Sequence, residues 1–414
     1  MSSSQKLDVS LSLSLPPTND VLKPQERGVK LIHLLLTCAN HAASGNLHHA
    51  DECLCQISEL SSISGDSMQR LAARFAAALA ARLVKRWPGL YKALNNGGRV
   101  SFDIDYAKSV FFRVFPYLGF SYAIINRVLI QAMLGERVIH VINLDSSDPG
   151  LWVPFIRAVA NGPDGPPSLK ITCVGGSMEA QEMLGLKLMK EAESLNMPLE
   201  FNHVHVGLRE VTLDMLKVQS GEALALVSIL GLHVLLAEDD RVDVHFGLSK
   251  NKEVKECKPI KDFLKMVKSI GPKAFLLVHQ ESNLNSSRLV DRFVEGLHFY
   301  SALFDSIDVA FGGVSCSDRT ILEEMIGKEI ENIVAMEGME RTERHERYAK
   351  WAVRFSRAGF RPIRMWHETM EDAQKAVESY GPGGYRIISE KGSLMICWHD
   401  RPIYAVSAWT CFGC

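Results

Sequence analysis

Long apolar runs are absent from this sequence. No stretch approaches the roughly 20 consecutive apolar residues that a helix needs to cross a bilayer. The first residues also lack the basic, then apolar, then small-residue order of a secretory leader, so we expect no secretion. Positive charge is not in excess either. The net charge of −2 argues against a protein that binds polyanions over its whole surface.

Cysteine is used in a way that disfavours a disulfide framework. The nine cysteines are odd in number and scattered along 414 residues, which is typical of reduced thiols in a cytosolic or nuclear protein. His48, Glu52 and Cys55 are spaced so that one helix presents them on neighbouring faces. No second pair of ligands follows at zinc-module spacing, so we expect no metal site.

The chain divides into a tail, a helical region and an α/β region. Residues 1–28 are rich in Ser and Pro, show no helical period and predict a flexible tail. Residues 29–135 carry apolar residues at helical spacing and predict an all-helical cap. Over residues 136–414 predicted strands alternate with predicted helices, which indicates a mostly parallel sheet covered on both faces. The stretch 385–409 predicts short antiparallel strands that close this sheet.

The predicted fold class is therefore α/β: a Rossmann-like, methyltransferase-like sheet with a terminal antiparallel hairpin and an N-terminal helical cap. The first strand, at 138–145, is a run of β-branched and apolar residues that we expect to be buried on both faces. The turn after this strand and the start of the next helix form the crevice where such folds bind ligands.

Glycine is scarce where a nucleotide-type cofactor needs it. The turn at 145–150 holds one glycine and a rigid proline, whereas a close approach of the backbone to a cofactor calls for several glycines. After the second strand the nearest carboxylate is Glu179, displaced from the position that holds a ribose. We expect no catalytic residues, no cofactor and no enzymatic activity. An S-adenosylmethionine-type methyltransferase and a small-molecule receptor are the alternatives for this crevice.

Leucine motifs indicate protein partners. Leu11, Leu13 and Leu15 alternate by two, so an extended peptide presents them on one face, in a pattern similar to the LxLxL repression motif of plant transcriptional regulators. A Ser/Leu-biased tail without a partner is the alternative. An LxxLL box occurs at Leu31, Leu34 and Leu35, and again at 232–236. Such boxes dock into partner grooves, although leucines at helical spacing are more often core residues.

One local stripe of positive charge stands out. Arg347, Lys350, Arg354 and Arg357 project within about 80° of one another on a helix predicted at 340–358. The stripe is either a face for DNA or an acidic partner, or an ordinary solvated helix face. Direct DNA contact is thus a secondary expectation.

The first strand carries a family motif. Ile139, His140, Val141, Ile142 and Asn143 resemble the VHIID motif of the plant GRAS family. From the residues alone, His140 is read as a hydrogen-bonded core histidine rather than a catalytic base. The motif departs from the family pattern because Asn143 replaces its closing acid, and an amide carries no negative charge.

Other segments resemble the same family in the family's order. Leucine-rich regions flank the motif at 29–94 and 182–218, and the stretches 278–283 and 299–305 are similar to its PFYRE region. Ser407, Ala408 and Trp409 match its SAW region. The resemblance covers residues 29–411, and 86–94 looks closest to the scarecrow-like branch associated with gibberellin signalling.

The resemblance implies a function and a location. It implies a nuclear, plant transcriptional regulator that works through protein–protein contacts, with other transcriptional regulators, GRAS homo- or heterodimers and a corepressor as partners, and with no membrane contact. It also implies that the SAW strands mainly hold the fold together.

Overall fold

The computed structural model describes residues 23–96, 103–145, 148–163, 165–238, 254–380 and 383–411. The N-terminal part is helical, as the apolar spacing predicts. Its helices are α1 (Pro24–Ser44), α2 (Leu47–Leu60), α3 (Ser67–Val84), α4 (Pro88–Asn96), α5 (Ile104–Val114) and α6 (Tyr117–Ala132). The LxLxL residues Leu11, Leu13 and Leu15 lie outside the described residues.

Local capping chemistry sets where these helices begin. α1 starts at Pro24, whose fixed φ suits the first helical position. The predicted tail of residues 1–28 is therefore wrong at its C-terminal boundary, because its last residues are already helical. α3 starts behind Asp66, whose carboxylate accepts from the backbone N–H of Gln69 at 2.9 Å, while Gln69 Oε1 accepts from the backbone N–H of Asp66 at 3.3 Å. This reciprocal capping box satisfies donors that the first turn leaves unpaired.

Nine strands of the described residues form one sheet. They are β1 (Val138–Asn143), β2 (Ser168–Val174), β3 (Leu199–Val204), β4 (Ala223–Ile229), β5 (Ala274–Gln280), β6 (Phe360–Pro362), β7 (Tyr385–Glu390), β8 (Ser393–Trp398) and β9 (Arg401–Cys411). The order across the sheet is β3-β2-β1-β4-β5-β9-β8-β7, and β6 pairs with β9. Strands β1 to β5 pair in parallel, whereas the pairings of β6 to β9 are antiparallel. The predicted Rossmann-like sheet with a terminal antiparallel hairpin is confirmed.

Helices cover both faces of the sheet. They are α7 (Pro149–Ala160), α8 (Met178–Ser194), α9 (Leu213–Leu216), α10 (Lys258–Ser269), α11 (Leu289–Ala310), α12 (Ser317–Ala335), α13 (Tyr348–Ala358) and α14 (His367–Glu378), with 3₁₀ turns at Leu232–Leu236 and Gly338–Glu340. Because strand residues alternate between faces, Ile139 and Val141 of β1 join one hydrophobic core, and Ile142 joins a second one. The first strand is thus buried on both faces, as its composition predicts.

The cap shares its core with the helices that follow β5. Phe75 of α3 packs edge-on against Phe293 and Tyr300 of α11, with ring centroids 5.1 and 6.3 Å apart. Gly296 allows this close approach, since a Cβ there would lie 2.9 Å from Ile333 Cδ1 and 3.5 Å from Phe75 Cζ. The cap is therefore part of the same packed body as the sheet.

Helix α13 begins later than the predicted helix at 340–358. The preceding segment is extended, and two of its arginines are almost fully buried. Arg341 Nη1 donates to the carbonyl of Leu284 at 2.9 Å, and Arg344 Nη2 donates to the carbonyl of Glu238 at 3.0 Å. These charge-assisted bonds to other segments stabilise the extended backbone in place of a helical turn.

Buried free thiols of the described residues include Cys38, Cys53, Cys173, Cys257 and Cys397. Burial raises the pKa of Cys38, Cys173 and Cys257 to about 12 in each case. At neutral pH these side chains are thiols rather than reactive thiolates. No helix of the described segments combines the length and the apolar character that crossing a membrane requires.

Candidate functional site

The strand order places a crevice between the carboxyl ends of β1 and β4, where the chain reverses its direction of progress across the sheet. Asp145 follows β1 and turns its carboxylate towards β4. It accepts hydrogen bonds from Ser228 Oγ at 2.5 Å and from the backbone N–H of Ile229 at 2.6 Å. Burial raises the pKa of Asp145 to about 6, against these hydrogen bonds, which favour the ionised form. Asp145 thus links the two strand ends.

Helix α7 also begins at this crevice, and the chain itself caps it. Asp148 Oδ1 accepts a hydrogen bond from the backbone N–H of Gly150 at 2.9 Å. A helix N-terminus in this position is where related folds hold a phosphate or another anion. Because a carboxylate of the chain already stands there, an anionic cofactor group would have to displace it.

A cavity of about 560 Å³ opens beside the crevice, between the strand ends and the cap. Its volume lies within the range of roughly 300–1,000 Å³ that is typical of small-molecule sites. Apolar walls come from Phe111, Phe112 and Leu118 of the cap, and polar groups come from Gln280, Glu329 and His345. A few polar groups in a largely apolar wall are what a ligand-binding pocket requires.

Glu329 of α12 reaches into this cavity. Its Oε2 accepts a hydrogen bond from the Tyr300 hydroxyl at 3.1 Å and one from Gln280 Nε2 at 3.5 Å. Burial raises the pKa of Glu329 to about 8, with a further contribution from the negative charge of Glu343. At pH 7 this carboxyl group is therefore protonated and offers the cavity a hydrogen-bond donor.

Three side chains at the edge of the cavity converge on one point. His233 lies in the 3₁₀ turn after β4, and Glu343 and His345 lie in the extended segment before α13. Glu343 Oε2 is 3.2 Å from His233 Nε2 and 2.9 Å from His345 Nε2. The two imidazole rings are 3.9 Å apart between centroids. Among the described residues, this set has the ligand types and mutual distances that a metal ion requires.

The protonation of this cluster follows from its burial. Burial, and after it the neighbouring His233, lower the pKa of His345 to about 4. Burial opposes ionisation of Glu343, but the charge of His233 and the hydrogen bonds from both histidines hold the pKa of Glu343 well below its usual range. At neutral pH the cluster therefore contains a carboxylate beside a neutral His345.

The VHIID-like residues belong to the interior of the sheet. His140 is fully buried: its Nδ1 lies 2.8 Å from Glu222 Oε2, and its Nε2 lies 2.8 Å from Thr172 Oγ1. Lys170 Nζ approaches the other oxygen of Glu222 at 3.3 Å. The side chain is thus a hydrogen-bonded core histidine. All five residues are buried: Ile139, His140, Val141, Ile142 and Asn143.

The two LxxLL boxes are also part of the core. Leu31, Leu34 and Leu35 are 0, 8 and 0% exposed on α1. The leucines of the second box, at 232–236, are buried in the other core. An LxxLL docking role would require these leucines to leave the interior. The packing therefore favours a role in the hydrophobic core over a role in docking.

The SAW residues lie in β9, in the centre of the antiparallel part of the sheet. Ser407 pairs with Leu277 of β5, and its hydroxyl accepts from Trp409 Nε1 at 3.0 Å. The Trp409 ring stacks on Phe355 of α13 with centroids 4.8 Å apart. Ala408 lies between them, fully buried. These contacts join β9 to α13.

The predicted basic stripe does not form one open face. Arg354 is buried, and its Nε and Nη2 donate to the two carboxylate oxygens of Glu346 at 2.7 and 3.0 Å. Lys350 Nζ donates to Asn283 Oδ1 at 2.7 Å. Arg347 binds the Glu295 carboxylate at 2.8 Å, whereas Arg357 donates to the carbonyl of Val254 at 3.0 Å. The prediction of one basic face is corrected: carboxylates neutralise Arg354 and Arg347, whereas Lys350 and Arg357 donate to an amide oxygen and a backbone carbonyl.

Sequence reasoning missed Glu329 and the His233, Glu343 and His345 cluster. Glu343 and His345 are two residues apart and point the same way along an extended segment. This spacing was the available signal, but His233 lies far away in the sequence. Only the fold brings it to the same point.

Comparisons with known proteins agree over nearly the whole chain. A sequence profile of the GRAS domain family matches residues 31–410. Scarecrow-like protein 3 of Arabidopsis thaliana is 40% identical, over 94% of this chain and 90% of the relative. The GRAS family protein TF80 of Medicago truncatula is 34% identical, over 91% and 94%. The DELLA protein RGL1 of Arabidopsis thaliana is 32% identical, over 98% and 75%.

A solved structure shows the same fold. The crystal structure of SCL7 in Oryza sativa superposes with a TM-score of 0.78 at 25% sequence identity. The match covers 92% of this chain and 99% of that chain. With the sheet order, the cap and the motif residues in place, the chain belongs to the GRAS domain family of plant transcriptional regulators.

Proposed function

We propose that this chain is a non-enzymatic nuclear regulator that works through protein contacts in gibberellin-related developmental signalling. In this proposal a second GRAS chain binds helix α8, and a corepressor binds Leu11, Leu13 and Leu15. The observation that carries it is the apolar stripe on α8 described next. Direct DNA contact stays secondary, since the arginines expected to make it are engaged within the chain.

The outer face of α8 exposes large apolar side chains. Met183, Leu186 and Met189 are 71, 66 and 43% exposed. At about 100° per residue they span roughly 120° of the helix surface. The opposite face, which includes Leu184 and Leu188, is buried against the sheet. A contiguous exposed stripe of this kind marks a protein-interaction surface, and methionine adapts to varied partners.

The crevice supports the non-enzymatic part of the proposal. Asp145 is committed to Ser228 and Ile229, and Asp148 caps α7 at the position of an anionic cofactor group. A methyltransferase would have to displace both. Calorimetric titration with S-adenosylmethionine is the direct test, and micromolar binding would favour the enzymatic alternative.

The α8 stripe is tested by charge insertion. We expect the purified chain to dimerise, alone or with another GRAS protein, and the Met183→Glu, Leu186→Glu double variant to be monomeric with an unchanged melting temperature. Val309→Glu is the matched control, because Val309 is also apolar and 56% exposed but lies on α11. Light scattering after size-exclusion chromatography measures the mass. A double variant that dimerises like the wild type would contradict the proposal.

The tail motif is tested on the full chain. Replacing Leu11, Leu13 and Leu15 with alanine should abolish corepressor pull-down without changing thermal stability. Ser12→Ala with Ser14→Ala is the control, since the alternation by two that defines the motif assigns these residues to the other face of an extended peptide. Retained binding in the leucine variant would exclude the motif. A fluorescent fusion of each variant in plant cells tests nuclear residence.

A small-molecule receptor is the second candidate, and the cavity of about 560 Å³ favours it. Glu329, Gln280 and Tyr404 offer polar groups to a ligand beneath the apolar residues of the cap. A thermal-shift screen of small apolar carboxylic acids and alcohols tests this function. Stabilisation that is lost when Phe112 is replaced by a charged residue would support it.

A further inference from the structure

The cluster of His233, Glu343 and His345 has a geometry that hydrogen bonding alone does not require. Both histidines point the same nitrogen, Nε2, at the same oxygen, Glu343 Oε2, at 3.2 and 2.9 Å. Here the three ligand atoms meet within 4.8 Å of one another.

These separations match the coordination sphere of a transition metal. Zinc lies about 2.0–2.2 Å from histidine nitrogen and carboxylate oxygen, so two ligands of one ion are roughly 2.9–3.4 Å apart, depending on the coordination angle. Both distances to Glu343 Oε2 fall within this interval, and the ligand atoms of the two histidines lie within 4.8 Å of each other. Two imidazoles and one carboxylate on one side of an ion form a common ligand set for zinc and other divalent first-row metals.

The chain holds the ligands in place through their backbone. Asn332 Oδ1 accepts from the backbone N–H groups of Thr342 and Glu343, each at 2.9 Å. The backbone N–H of Leu284 donates to the carbonyl of His345 at 2.9 Å. The extended segment is therefore fixed on both sides of its two ligands. Such preorganisation lowers the cost of assembling a metal site.

One side of the cluster is accessible from the cavity. Glu343 and His345 line that cavity together with Glu329 and Gln280. His233 and His345 are 8 and 2% exposed, so the remaining surface of the cluster is covered by protein. A bound ion would keep at least one coordination position directed towards the cavity, as in zinc sites that take water or a ligand.

We propose that His233, Glu343 and His345 bind one divalent transition-metal ion, with zinc as the ion to test, and that its open position faces the cavity beneath the cap. This inference goes beyond the proposed regulatory function and does not depend on it. The competing explanation is a metal-free network in which Glu343 accepts a hydrogen bond from each histidine.

The first experiment uses the tag-free full chain after treatment with a chelator. Isothermal titration with zinc chloride and elemental analysis after dialysis should give one zinc per chain, and zinc should raise the melting temperature. Cobalt in place of zinc should give the visible absorption of a nitrogen and oxygen site without the intense thiolate band of a cysteine site. A stoichiometry near zero, or a thiolate spectrum, would overturn the proposal without any variant.

Glu343→Gln separates the two explanations. Glutamine keeps an oxygen that accepts from both Nε2–H groups, so the metal-free network and the fold remain, whereas the negative ligand is lost. We expect zinc affinity to fall roughly ten-fold or more while the melting temperature of the metal-free chain changes little. Unchanged zinc affinity in this variant would show that the ion binds at another site, and the proposal would be wrong.

Histidines elsewhere in the chain provide matched controls. His203 and His205 have ring centroids 4.1 Å apart on the exposed surface of β3 and the loop after it, and His48 approaches Glu52 on α2 at 3.5 Å. Variants His203→Gln and His48→Gln should bind zinc like the wild type. Loss of binding in either, with normal binding in His345→Gln, would place the ion on the surface and overturn the proposal.

Discussion

Arg70 of the cap and Glu323 of α12 form a buried ion pair, with Nε and Oε1 2.8 Å apart and both residues no more than 3% exposed. Arg70 also binds Asp308 of α11, so one guanidinium joins the cap to two helices of the α/β region. We expect Arg70→Met to lower the free energy of unfolding by about 3–5 kcal/mol, because the buried carboxylate loses the nearer of the two arginines that pair with it, the other being Arg319 at 3.7 Å. Chemical denaturation followed by circular dichroism measures this loss.

Two further variants bracket that prediction. The double variant Arg70→Met, Glu323→Gln should recover part of the stability, since it removes the uncompensated charge as well. Arg157→Met is the control, because Arg157 pairs with Glu191 on the surface, where ion pairs contribute little. Equal losses in Arg70→Met and Arg157→Met would show that the buried pair has no special role.

The fold was predictable because its main signals are local. β1, β4 and β5 are short apolar runs bounded by turn residues, and such runs indicate buried parallel strands wherever they pack. The start of α13 was not predictable in this way. Arg341 and Arg344 look like helix formers, but they donate to the carbonyls of Leu284 and Glu238 in remote segments, and these long-range bonds override the local preference.

The same distinction between local signals and long-range contacts applies to the residues of the candidate site. The role of His140 in the core could be expected from its place in an apolar strand. The prediction of one open basic face was wrong because Glu295, which neutralises Arg347, lies on α11, and because Glu346 pairs with Arg354 from an extended segment that periodicity assigns to the helix. His233 meets Glu343 only through the fold, so no spacing rule relates them.

A methyl group at Gly231 tests the link between β1 and β4. Its Cβ would lie 2.6 Å from Asp145 Cβ, so Gly231→Ala must move Asp145 away from Ser228 and Ile229. We expect a loss of about 1–3 kcal/mol, the cost of leaving buried polar groups unpaired. Gly207→Ala is the control, because nothing lies within 4 Å of a Cβ there. The proposed link fails if thermal denaturation finds the two variants equally stable.

Glu329 should make stability fall as the pH rises. Its pKa is about 8 in the folded chain against an ordinary value of 4.5, so between these values the folded state holds a proton that the unfolded chain has released. Its contribution is complete below pH 4.5 and is lost as the pH rises through 8. Glu329→Gln keeps an acceptor for Tyr300 without this titration. The difference in melting temperature, that of Glu329→Gln minus that of the wild type, should therefore increase from pH 5 to pH 8.

The control for this pH dependence is Glu324→Gln on the exposed side of α12. Its melting temperature should follow that of the wild type at every pH, because this exposed substitution leaves Glu329 and its buried partners unchanged. If the melting temperature of Glu329→Gln also changes with pH in parallel with that of the wild type, Glu329 is ionised in the folded protein at neutral pH.

His140→Leu tests whether the VHIID-like strand is held by its polar network. Leucine fits the apolar strand but leaves Glu222 and Thr172 without the ring nitrogens that now lie 2.8 Å from each. Because both partners are buried, we expect a loss of about 2–4 kcal/mol in the free energy of unfolding. His203→Leu on the exposed surface of β3 should change stability little. If His140→Leu were as stable as the wild type, burial of the strand would depend on its apolar residues alone, and the network would be dispensable.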